Sequence, residues 1–123
     1  MRVLIVEDEA ILAMDLEILL VEQGYDVCDV ARDADEALMK AALHRPDITL
    51  MDIRLAHGTN GIDAAKRIRD MLGIPSVFVT GNMTRSQMEA LCSLNPAGVL
   101  SKPVGPACLQ TVLRGAADRH LTA

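Results

Sequence analysis

At 123 residues, half of them apolar, the chain is long enough for one compact core and too short for a second. Its net charge is −5 with the cations dispersed, and it has one Tyr, one Phe and no Trp, which excludes the basic footprint of a direct nucleic-acid binder and an aromatic base-stacking platform. No apolar run approaches the roughly 20 residues of a membrane span, and Met1-Arg2-Val3-Leu4-Ile5-Val6 leads straight into Glu7-Asp8, unlike a signal peptide, so a cytoplasmic location is expected.

The first predicted strand, residues 3–6, ends at Glu7-Asp8. A helix over 10–22 follows, with Ile11, Leu12, Leu16, Leu19 and Leu20 as its apolar residues and Gly24 as a left-handed stop. The second strand is 27–30, and the second helix is 33–43, with Ala34, Ala37, Leu38 and Ala41 on one face before Pro46. The third strand, 48–51, runs into Asp52, and the third helix, 62–72, presents Ile62, Ala65, Ile68 and Leu72 before Gly73 and Pro75. The fourth strand, 76–79, reaches Thr80-Gly81, and the fourth helix, 84–94, starts at Thr84 as a cap. The fifth strand, 99–100, leads to Lys102-Pro103, and a last helix over 106–120 carries Leu109, Val112, Leu113 and Ala116.

Strands that alternate with helices in this way imply right-handed crossovers and a parallel sheet covered on both faces. The expected fold is α/β, a flavodoxin-like doubly wound five-stranded parallel sheet of order 2-1-3-4-5 with five helices, in one domain over 1–123. In that order Glu7-Asp8, Asp52, Thr80 and Lys102 all reach the carboxyl edge of the sheet, where open α/β sheets bind ligands.

Three carboxylates at one edge repel one another by about 4 kcal/mol per pair at 4 Å and an effective dielectric near 20, unless a cation joins them. Mg2+ prefers such oxygen ligands and commonly binds through one or two carboxylates plus a phosphate oxygen. Asp8 and Asp52 are its expected direct ligands, with Glu7 acting through water and the Arg54 backbone carbonyl completing the set. Asp52 is then a nucleophile toward a phosphoryl group, with Lys102 neutralising one oxygen and the Thr80 hydroxyl donating to another. Each piece has a plainer reading alone: Glu7-Asp8 as charges at the positive helix start, Lys102-Pro103 and Thr80-Gly81 as turns, and Asp52 as a strand-terminal carboxylate. Their coincidence after four strands favours the site.

With these pieces in place the chain resembles the response-regulator receiver domains of two-component signalling over its whole length. The resemblance is carried by Val3-Leu4-Ile5-Val6-Glu7-Asp8-Glu9, Pro46-Asp47-Ile48-Thr49-Leu50-Met51-Asp52-Ile53, Gly61-Ile62-Asp63, Val77-Phe78-Val79-Thr80-Gly81 and Leu100-Ser101-Lys102-Pro103. It implies that a histidine kinase or histidine phosphotransfer protein supplies the phosphoryl group to Asp52, that Mg2+ is required, and that the acyl phosphate hydrolyses slowly by self-catalysis. Such a chain is no enzyme beyond its own phosphorylation and dephosphorylation. It signals by changed affinity for a protein partner, through the surface of the fourth helix, fifth strand and fifth helix.

Departures from the pattern bear on the switch. The loop of residues 53–61 lacks the family's usual proline and is one residue longer before Gly61, and Val99 stands where many members place a Tyr or Phe that rotates inward. Arg54 and Asn82 occupy positions that in the family face the attacking water. A pseudo-receiver acting as a constitutive interaction or dimerisation module is the alternative reading. A phosphotransfer enzyme of the haloacid-dehalogenase type is disfavoured, because it usually places an Asp-x-Asp signature where this chain has Glu7-Asp8-Glu9. Cys28, Cys92 and Cys108 form no metal or disulfide pattern and are expected as buried free thiols, and His44, His57 and His120 as solvent-facing or capping residues. The output partner, the cognate kinase and any homodimer stay open.

Overall fold

The computed structural model describes residues 1–120, His120 through its backbone alone. It contains β1 (Arg2–Val6), α1 (Ala10–Glu22), β2 (Asp26–Ala31), α2 (Ala34–His44), β3 (Ile48–Asp52), a short 3-10 turn (Ala56–Gly58), α3 (Gly61–Leu72), β4 (Ser76–Thr80), α4 (Arg85–Ser93), β5 (Gly98–Ser101) and α5 (Pro106–His120). All strands pair in parallel in the order β2-β1-β3-β4-β5, as the alternation of elements predicts. Only the 3-10 turn inside the β3–α3 loop has no counterpart in the periodicity.

The central strands β1, β3 and β4 read as near-continuous apolar runs because helices cover both faces of the sheet. Side chains alternate from face to face, so Leu4, Val6, Met51 and Phe78 pack with α2, α3 and α4 through Ala37, Ala41, Ala65, Ile68 and Leu91. Val3, Ile5, Ile48, Leu50, Val77 and Val79 pack on the opposite face with α1 and α5 through Ala13, Leu16, Leu20, Leu109, Leu113 and Ala116. Each such large side chain stabilises the fold by about 1.5–3 kcal/mol. One polar pair lies between the layers, where the buried Thr49 hydroxyl donates to the Ser76 hydroxyl at 2.6 Å.

Local chemistry sets the helix ends. Asp33 accepts from the Glu36 N–H at the start of α2, and Asn60 accepts from the Ile62 N–H at the start of α3. Thr84 and Gln87 form a reciprocal capping box on α4, as Thr84 led one to expect. Gly24 and Gly73 follow α1 and α3 with φ of 86° and 71°, the left-handed stops that glycine takes without strain.

At the open edge, both backbone groups of Val30 are occupied by side chains. Its N–H donates to Asp29 at 2.7 Å and its carbonyl accepts from the Lys40 ammonium at 2.7 Å. Lys40 also bridges Asp29 and Glu36, so this stretch of edge presents no free template to a second strand.

Three expectations are corrected. Ile11 is 75% exposed, not part of the packed face; α1 carries apolar residues on its solvent side as well as its packed side, and its register on the sheet is fixed by Ala13, Leu16 and Leu20. Its outer side leaves Met14, Ile18 and Val21 in solvent as well. Cys92 and Cys108 are exposed, because each adjoins a buried anchor, Leu91 or Leu109, and a neighbouring helical residue turns about 100° away from it. Cys28 is half-buried and free. His44 is half-buried rather than solvent-facing, with its Nε2 3.0 Å from Asp29 Oδ2. His57 is largely exposed, and the His120 side chain lies outside the described residues. Among the described residues no helix is long and apolar enough to cross a membrane.

Candidate functional site

Because β1 and β3 are adjacent, Glu7-Asp8 and Asp52 emerge side by side. Pairing of β3 with β4 and of β4 with β5 brings Thr80 and Lys102 to the same edge, and the Lys102 N–H extends the ladder by donating to the Thr80 carbonyl at 2.8 Å. The Glu7 N–H donates to the Ala31 carbonyl of β2 at 2.9 Å, which anchors the acidic pair to the far side of β1. Above these residues opens a cleft of about 360 Å³, lined among others by Asp8, Asp52, Arg54, Thr80, Asn82 and Lys102.

Glu7 and Asp8 do not cap α1. The capping position is Glu9, and no side chain bonds to the first turn. One carboxylate oxygen from each of Glu7, Asp8 and Asp52 lies within 4.8 Å of the others, a separation at which one cation could touch all three. Glu7 is 1% exposed and Asp52 6%. Lys102 is the cation present, with Nζ 3.1 Å from Asp52 Oδ2 and 3.6 Å from Glu7 Oε2. Glu7 Oε1 accepts from the Glu9 N–H at 3.3 Å, whereas the buried Oε2 has no hydrogen-bond donor.

These surroundings set the protonation of the pocket. Burial, and then Asp52 beside it, push the Glu7 carboxyl up to about 8 against the pull of Lys102. Burial disfavours the Lys102 charge, but its hydrogen bond and attraction to Asp52, followed by Glu7 and Glu9, outweigh burial and hold its pKa above the usual lysine value. Unfolded Glu7 titrates near 4.5, so between about 4.5 and 8 the folded state holds the proton that the unfolded state has lost. Stability of the metal-free chain should therefore fall as pH rises through that window. Urea midpoints at pH 5, 6.5 and 8 check this against Glu7→Gln, which should flatten the decline.

The five side chains singled out in the sequence thus meet at one edge of the sheet. Arg54 and Asn82 line the same cleft, while Val99 is 44% exposed on the outer side of β5. Two more residues of the site carry no signal in the sequence. Glu9 lines the cleft and supplies an N–H to Glu7, a role no side-chain motif reveals. Thr59 ties the loop that follows Asp52 to α2, a contact between residues 25 apart.

The chain is similar to known proteins over most of its length. Transcriptional regulatory protein PdtaR of Mycobacterium tuberculosis (strain ATCC 25618 / H37Rv) is 39% identical over 102 residues, covering 83% of this chain and 49% of that protein. Phyllosphere-induced regulator PhyR of Methylorubrum extorquens is 36% identical over 117 residues, covering 91% of this chain and 42% of that protein. The chain thus spans about half the length of these relatives, or less. The solved signal receiver domain of a modulated diguanylate cyclase from Desulfovibrio desulfuricans G20 superposes with a TM-score of 0.91 at 34% identity, covering 98% of this chain and 95% of that one. The response regulator receiver domain profile matches residues 3–114, from β1 into α5, and the chain belongs to that family of signalling modules.

Proposed function

We propose that the chain is a phosphoacceptor receiver domain, in which Asp52 takes a phosphoryl group from a histidine kinase or histidine phosphotransfer protein in the cytoplasm. The observation that carries this reading is the Asp52 carboxylate, buried at the floor of an open cleft and held by the Lys102 ammonium at 3.1 Å. An aspartate placed there for structure alone would not need the cleft, nor two further carboxylates beside it.

The residues present fit a divalent cation. The donors are all oxygens, which suits Mg2+, and the buried Glu7 Oε2 lacks a donor of its own. Glu7, Asp8, Asp52 and the Arg54 carbonyl would hold it. When bound it supplies positive charge to the phosphoryl oxygens and allows Glu7 to ionise.

The chain's own residues do the rest. Asp52 attacks as the carboxylate, so no general base is required; a bond forms between its oxygen and phosphorus while the bond to the donor's imidazole nitrogen breaks. Lys102 neutralises charge on the phosphoryl oxygens as they separate from the donor, and Thr80, on the cleft wall, offers a hydroxyl proton to one of them. The phosphoryl group adds about −1.5 to −2 charges at an edge already rich in carboxylates. Retracting Lys102 from Glu7 toward the new group is the local change that β5 and its neighbours can pass to a protein partner.

Intact mass of the chain after incubation with acetyl phosphate tests the reading. A gain of one phosphoryl group that requires Mg2+ and is lost in Asp52→Asn is expected. An equal gain in Asp52→Asn would overturn the acceptor assignment, and no gain from acetyl phosphate or from any kinase would favour a pseudo-receiver.

A further inference from the structure

The loop after Asp52 leaves the cleft and fastens to a part of the fold outside the site. Its two legs pair as an antiparallel bridge between Arg54 and Asn60. The Leu55 N–H donates to the Thr59 carbonyl at 3.1 Å, and the Gly61 N–H to the Ile53 carbonyl at 2.7 Å. Arg54 and Asn60 therefore face each other without exchanging hydrogen bonds, which turns the N–H and carbonyl of Arg54 away from the opposing leg. The tip reverses through His57, at φ 60°, and docks on the β2–α2 connection, where the Ala56 N–H donates to the Arg32 carbonyl at 3.1 Å.

The Thr59 hydroxyl joins these pieces. It donates to the Ala56 carbonyl at 2.8 Å and accepts from the Ala34 N–H at 3.1 Å. Ala34 is the first residue of α2, so one of the amides a helix start leaves unpaired is satisfied by the loop that follows Asp52. A hydroxyl has one proton to give, and here that proton holds the tip while a lone pair holds the helix.

We propose that Thr59 is a positioning residue for the cation half of the site, fixing the register in which the loop presents the Arg54 carbonyl beside Asp8 and Asp52. The proposal rests on the divalent-cation reading above. A carbonyl on a free loop would have to be ordered when the ion binds, at a cost in chain entropy. Clasped to α2, the loop is ordered beforehand. By reciprocity, an ion that holds the loop also firms the first turn of α2 at Ala34, two turns away from Ala41.

Calorimetric titration of the chain with MgCl2, compared across variants, tests the proposal. Thr59→Val preserves shape and removes both hydrogen bonds, and should weaken Mg2+ binding about tenfold, the lower end of the effect seen when a group supporting a metal ligand is lost. Thr59→Ser should keep wild-type affinity. Ala41→Gly loosens α2 without touching the loop, and should lower thermal stability while leaving Mg2+ binding unchanged. In metal-free Thr59→Val the Leu55 and Gly61 amides should exchange with deuterium faster than in the wild type. Wild-type affinity in Thr59→Val, or an equal loss in Ala41→Gly, would overturn the positioning role. A wild-type chain that binds no Mg2+ would instead remove the cation reading on which the role rests.

Discussion

Lys102→Ala is expected to slow phosphoryl uptake from acetyl phosphate about a hundredfold, the scale on which loss of a single charge-stabilising donor slows acyl and phosphoryl transfer. The ammonium touches both buried carboxylates, at 3.1 Å from Asp52 and 3.6 Å from Glu7, and those contacts keep it charged. Without it Asp52 loses the partner that aims it into the cleft, and the incoming phosphoryl oxygens lose a neutralising charge. The same substitution removes a competitor for the carboxylates, so Mg2+ affinity should hold or rise. A variant that still folds and binds Mg2+ but takes up phosphoryl slowly is the expected pattern, read by mass time courses and calorimetry. Uptake at the wild-type rate would remove Lys102 from the mechanism. Lys102→Arg should recover only part of the rate, because a planar guanidinium does not reproduce a compact ammonium.

Gly61→Ala carries the largest expected cost in stability, about 3 kcal/mol, at the upper end for overpacking a tight site. A Cβ there would lie far inside van der Waals contact of the Asp52 carbonyl oxygen, 2.8 Å from its carbonyl carbon and 3.0 Å from Ile53 Cα. All three are backbone atoms, so no side chain can swing aside. Either the start of α3 retreats, breaking the 2.7 Å bond from the Gly61 N–H to the Ile53 carbonyl, or the end of β3 moves and takes Asp52 with it. Urea denaturation should show the loss, and whatever folded protein persists should accept phosphoryl poorly. A stability equal to wild type would mean that this approach is looser than the geometry implies.

What the sequence revealed and what it hid divide along physical lines. Strand identity and order were legible because parallel strands buried on both faces must be apolar runs, and four of the five runs here lead to a polar residue that has nowhere to go but the sheet edge. That is why the sequence alone points Glu7, Asp8, Asp52, Thr80 and Lys102 to one place. The face of α1 was not legible, because with Ile11, Met14, Ile18 and Val21 apolar on its outer side the periodicity carried no preference. The exposure of Cys92 and Cys108 depended on which residue of each helix anchors the core, and composition does not report that. The course of residues 53–61 was hidden for a different reason. It is set by bonds from Thr59 and Ala56 to Ala34 and Arg32, more than 20 positions away, which become possible only after β2 and β3 are in the sheet.

The most direct test of the account is to identify the residue that carries the phosphoryl group. After reaction with acetyl phosphate and Mg2+, reduction with borohydride converts an aspartyl phosphate to homoserine, and peptide mass spectrometry reads its position. The account predicts homoserine at position 52 and nowhere else. Homoserine at position 8 or at another carboxylate, or a phosphoryl adduct that yields no homoserine at all, would contradict it.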